Sequence, residues 1–188
     1  MKAGTGRDHR NFESRLTAEE AKVMEHTKIT LALKSEKGSL SSFFPLLQKG
    51  FAIKTKAGCS IKGLLCDQFG VDANYLEDRI QTIFLDGKPV DDAETAIVKS
   101  GCTVALSAAM PGLVGSTFRR GGALAAFRNG ITYREQDEIS GMDGSEMVTV
   151  KLFNLLVGEL GPAFLREGIW VKKEDAERAF KDLFDTTL

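Results

Sequence analysis

The residues best able to do chemistry cluster in one place: Arg119, Arg120, Gly121, Gly122 and Arg128. Arginine offers paired donors to a planar oxyanion, and backbone N–H groups at the start of a helical stretch, here residues 123–128, favour negative charge. This group therefore suits the binding of an anion or of a partner surface. It lacks the spacing of a nucleotide-binding loop and does not follow a strand–helix–strand unit. A plainer reading stands beside it. Paired glycines supply a turn with positive φ, and neighbouring arginines keep an edge strand soluble.

No catalytic residue emerges elsewhere. Asp91, Asp92 and Glu94 would suit acid–base work, but they follow a turn and have no identifiable histidine or lysine partner. Cys59 lies beside Gly58 ahead of a helix start, a setting that lowers thiol pKa values, yet no base stands near it in sequence. The segment Gly112-Leu113-Val114-Gly115 follows Pro111 and reads as a bend rather than a ligand loop. Three cysteines, an odd number, argue against a disulfide framework, and six residues between Cys59 and Cys66 is not a zinc spacing. Cys66 and Cys102 read as buried, inert thiols. Only His9 and His26 could add nitrogen ligands, and both lie outside the expected core. Neither a metal nor a cofactor is expected.

The elements that must position these residues belong to an ordinary globular chain. Of 188 residues, 43% are apolar and 27% charged, enough for one buried core with appendages. Twenty-five basic residues against 26 acidic ones leave a net charge of −1, which predicts no steering toward nucleic acid or a membrane. No apolar window reaches the length of a membrane span, and residues 1–15 lack the apolar stretch of a secretory signal, so a cytoplasmic setting is expected.

Along the chain, residues 1–27 form a polar arm with a short helix capped by Thr17 and Glu20. Residues 28–34 (KITLALK) and 51–56 (FAIKTK) alternate as half-buried strands, with an apolar turn or loop at 43–48 between them. A helix follows from Ser60 to about Phe69, with Gly70 at its end. Residues 80–85 form a strand that turns at Asp86-Gly87 into Lys88-Pro89-Val90, and residues 102–107 form another. Short strands are expected over 113–118 and 131–134. Residues 136–144 read as an acidic linker. Beyond it, apolar spacing predicts a helix over 146–160 stopped by Gly161-Pro162, and a last helix over 174–184. No internal repeat or low-complexity tract is apparent. The expected organisation is an N-terminal arm (1–27), an α+β core (28–136) and a helical extension (137–188).

The strand–strand–helix–strand–turn–strand order is that of a β-grasp, and the wording sharpens the likeness. Ile83-Phe84-Leu85-Asp86-Gly87-Lys88-Pro89-Val90 and Ser100-Gly101-Cys102-Thr103-Val104-Ala105-Leu106 resemble elements of ubiquitin-like sulfur carriers. In the second, Ser-Gly-Cys stands where those carriers usually have Asp-Gly-Asp. Phe118-Arg119-Arg120-Gly121-Gly122 is similar to the Arg-Gly-Gly tail of ubiquitin. The likeness spans about residues 51–122 and implies a β-grasp core. It also implies a carrier chemistry in which a terminal glycine carboxylate is adenylated by a partner enzyme. Here 66 residues follow Gly122, so that carboxylate would require proteolysis. The first expectation is a non-enzymatic binding or protein-interaction module with an unidentified protein partner. The alternative is a ubiquitin-like carrier or modifier processed after Gly122.

Overall fold

A computed structural model describes residues 40–56, 58–134 and 145–181. The strand expected at 28–34, the Thr17 helix and the whole of the acidic linker at 136–144 lie outside the described residues. Every described residue belongs to one compact unit.

That unit is α+β, with an open mixed sheet of five strands. Its strands are β1 (Phe51–Lys56), β2 (Thr82–Leu85), β3 (Lys88–Val90), β4 (Thr103–Ser107) and β5 (Ser145–Phe153), in the order β1-β5-β4-β2-β3. β5 pairs parallel with β4, and the other pairs are antiparallel. The β2–β3 hairpin follows from its two central residues. Asp86 (φ 49°) and Gly87 (φ 77°) both adopt the left-handed conformation that a two-residue turn between twisted strands requires. Asp86 also accepts from the Thr103 N–H at 2.7 Å, which ties the turn to the start of β4.

Helices pack on one face of the sheet: α1 (Phe44–Lys49), a π-helical turn (Gly63–Gln68), α2 (Ala73–Asp78) and α4 (Leu156–Glu167). The helix α3 (Gly112–Phe118) packs on the other face, where Phe118 meets Phe84 at 5.3 Å between centroids. A last helix, α5 (Lys173–Ala179), follows α4. The core lies under the first face. Phe51, Ile53, Ile83, Val104, Val150 and Leu152 are fully buried there, and Phe164 of α4 stacks edge-on against Phe51 at 5.2 Å.

Three expectations are corrected. Residues 146–153 are not helical: they form most of β5, which is bonded on both sides between β1 and β4. Val148, Val150 and Leu152 alternate inward, and a β-branched run with two strand partners favours the ladder over the helix. The helix begins only at Leu156 and runs through Gly161-Pro162 instead of stopping there. Residues 113–118 are helical, and on that helix the Ser116 and Thr117 hydroxyls donate back to the carbonyls of Gly112 and Leu113 at 3.1 and 3.0 Å. Gly115 permits that helix to close on the loop before it, since a β-carbon there would lie 2.0 Å from the Met110 carbonyl oxygen. Residues 131–134 make turns, with the Ile131 and Thr132 N–H groups both donating to the Arg128 carbonyl.

Two helices end alike, α1 at Gly50 and α4 at Gly168, each followed by extended chain. Gly50 (φ 122°, ψ 137°) and Gly168 (φ 93°, ψ 136°) turn the chain alike, and their N–H groups cap the Leu46 and Phe164 carbonyls at 3.0 and 3.1 Å. Ala52 and Trp170, the matching positions, exchange both backbone hydrogen bonds at 2.7 and 2.8 Å.

A second clasp joins α2 to α4. Glu159 accepts from the Arg79 guanidinium and from the Tyr75 hydroxyl. The Arg79 N–H groups first, and then the Tyr75 O–H, hold its carboxyl down to about 2. A depressed carboxylate stabilises the fold above its unfolded value near 4.5, and that contribution is lost as pH falls toward 2. The cluster is partly solvated, so its net worth is about 1 kcal/mol. Glu159→Gln should lower the unfolding free energy at pH 7 by that amount and flatten the acid limb between pH 4.5 and 2, read by urea titrations across pH.

Candidate functional site

The structure places all five arginine and glycine candidates in the crossover that leaves β4 and returns to β5. Each arginine takes a different role. Arg128 is buried and spends all its donors on the chain itself. Its Nε donates to the Thr117 carbonyl at 2.7 Å, Nη1 to Asp91 Oδ2 at 3.0 Å and Thr132 Oγ1 at 2.9 Å, and Nη2 to Asp91 Oδ1 and the Arg119 carbonyl. Arg120 reaches across to the end of α2. It donates to the Leu76, Ile80 and Asp91 carbonyls at 3.1–3.2 Å and forks onto the Glu77 carboxylate. Both guanidiniums are thereby satisfied by internal acceptors. Arg119 differs, being exposed and without an ion pair among the described residues.

Gly121 and Gly122 sit inside this strap. The Gly121 N–H donates to Asp91 Oδ1 and the Gly122 N–H to the Arg119 carbonyl, each at 3.2 Å. Gly121 has φ 57°, the turn conformation that paired glycines permit. Residues 123–128 contain only a short 3-10 turn, Ala125–Arg128, rather than a helix that could present amide groups to an anion.

Together these residues close a polar cleft of about 380 Å³, lined by Glu77, Asp78, Gln81, Asp91, Arg119, Arg120 and Gly121. Most of its charges are already matched, Glu77 by Arg120 and Asp91 by Arg128. Asp91 thus works as a structural counter-ion, and Asp92 caps the Glu94 N–H at 2.8 Å. Neither is placed as an acid or base.

Cys59 accepts a hydrogen bond from Gln68 Nε2 at 3.3 Å, beside the buried Thr55 hydroxyl. The thiols of Cys66 and Cys102 are both pushed up by burial, that of Cys102 to about 11. These two are poor nucleophiles at neutral pH. Among the described residues no group of three histidine, cysteine, aspartate or glutamate side chains could hold a metal ion, and no helix is long and apolar enough to cross a membrane.

One feature escaped the arginine–glycine pattern. Leu113 and Val114 on α3 are 75% and 66% exposed, and Phe127 and Ile131 further along the crossover are 83% and 55% exposed. The two halves are joined where Arg128 holds the Thr117 carbonyl, one helical turn after Leu113. Four large apolar side chains thus stand in water within residues 113–131. The sequence signal was available in Leu113-Val114 and Phe127, which lie in segments too glycine-rich to bury them.

Comparison with known protein families, with curated proteins and with solved structures returned no match.

Proposed function

We propose that this chain is a non-enzymatic protein-interaction module whose contact surface is the β4–β5 crossover. The observation that carries the proposal is the exposure of Leu113, Val114, Phe127 and Ile131 on a segment that buried Arg128 fixes to the sheet. A rigid, exposed apolar surface loses little conformational entropy on docking. The framework is read as a β-grasp core in which β5 serves as the opening strand. In support, β5 lies centrally, antiparallel to the strand beside it and parallel to β4. A cytoplasmic setting belongs to the same proposal and is supported by three unpaired thiols, Cys59, Cys66 and Cys102.

The alternative, a ubiquitin-like carrier activated at Gly122 by an adenylating enzyme, has the Arg-Gly-Gly wording in its favour. Against it, Gly121 and Gly122 are tied into the strap, and cleavage there would release β5 from the sheet.

Leu113→Asp and Phe127→Asp should leave thermal stability unchanged, since both side chains face water. Full-length chain carrying either change, recovered from the native host, should lose partners that the unaltered chain retains. Equal recovery by all three chains would remove the crossover as the contact surface.

A further inference from the structure

We infer that the polar cleft beside Arg119 binds a small zwitterion, a free amino acid with its ammonium and carboxylate both ionised. This site does not depend on the crossover being a contact surface. Two of the charges that line the cleft are left over. Arg120 forks onto Glu77, and Arg128 pairs with Asp91. What remains is one cation and one anion, Arg119 and Asp78, both exposed and neither in an ion pair among the described residues. With Arg128 counted, three guanidiniums balance three carboxylates, so the site carries no net charge. A simple anion there meets Glu77, Asp78 and Asp91, and a simple cation meets the arginines. A ligand with one charge of each sign and none overall matches both unpaired groups.

Gln81 supplies an independent observation on the same cleft. Its Oε1 is buried without a hydrogen-bond partner, an arrangement that costs free energy until a donor arrives. Its Nε2 makes one long donation, at 3.4 Å to the Asp78 carbonyl, so the amide can turn at the cost of that bond alone. An ammonium between Asp78 and Gln81 gives Oε1 the donor it lacks. The carboxylate of the same ligand then takes the two-pronged guanidinium of Arg119. The volume of about 380 Å³ stands at the small end of ligand pockets, which run from roughly 300 to 1,000 Å³. No apolar side chain lines it, so the ligand's own side chain is small or polar.

The test uses the ¹⁵N-labelled full-length chain and three probes: L-serine, N-acetyl-L-serine, which lacks the ammonium, and L-serinamide, which lacks the carboxylate. Serine should shift the amides of Asp78, Gln81, Arg119 and Gly121, and each capped analogue should bind roughly tenfold more weakly. Arg119→Gln should weaken serine and erase its advantage over serinamide. Asp78→Asn should weaken serine and erase its advantage over N-acetylserine. Both side chains are exposed, so the two variants should unfold at the midpoint of the unaltered chain. Binding of serine and a capped analogue with equal affinity would overturn the zwitterion. Shifts confined to other residues, or none with any probe, would overturn the site. A loss of stability shared by the two variants and not additive in the double variant would show that Arg119 and Asp78 pair with each other, which would also overturn it.

Discussion

A chain ending at Gly122 is expected not to fold cooperatively. Ending there removes β5, whose residues bond to β1 along Phe51–Lys56 and to β4 along Thr103–Ser107. β1 would lose its one strand partner among the described residues, and β4 would become an exposed edge. The cut also removes eight large core side chains between Val148 and Phe180, Phe164 with its contacts to Phe51 and Phe69 among them. Even at about 1.5 kcal/mol for each side chain returned to water, the loss is of order 10 kcal/mol. That consumes the whole stability typical of a domain. Urea titration of the truncated chain should show no sigmoidal transition, and amide protons of Val104 and Leu106 should exchange without protection. A cooperative transition would mean that residues 1–122 hold a complete core, and the carrier reading would gain accordingly.

Arg128→Leu should cost about 3 kcal/mol, the low end for removing one partner of a buried ion pair. The low end applies because Asp91 is 39% exposed and recovers hydration once freed. The loss extends beyond the pair, since the Thr117 and Arg119 carbonyls lose their donor in the same change. The strap should then open locally, and a protease should cut near Gly121-Gly122 at least tenfold faster than in the unaltered chain. Arg128→Lys should recover little, because a point ammonium cannot serve Thr117, Asp91, Thr132 and Arg119 together. Equal denaturation midpoints for Arg128→Leu and the unaltered chain would show that this guanidinium does not hold the crossover.

Where local chemistry decides the structure, the sequence was legible. β1 occupies residues 51–56 as its alternation predicts, and Asp86-Gly87 makes the expected hairpin. Ser145–Phe153 was not legible, because two periods compete there. Val148, Val150 and Leu152 alternate, while Val150, Phe153, Val157 and Leu160 fall on one helical face. The choice is made by β4, a parallel partner some forty residues earlier, which no local window contains.

The site shows the same division. Arg119, Arg120, Gly121, Gly122 and Arg128 do come together, as their spacing suggested. Their division of labour depends on Glu77 and Asp91, which lie 43 residues before Arg120 and 37 before Arg128. Those acceptors turn two candidate anion ligands into fasteners and leave Arg119 in the cleft without an ion pair among the described residues.

The central claim is that the working molecule is the unprocessed chain, with Gly121-Gly122 serving as a turn within the crossover. Intact-mass measurement of the protein purified from its native host tests this most directly. The chain should retain its C-terminal segment through Leu188 in every detected species. A species ending at Gly122, or one carrying a thiocarboxylate there, would contradict it.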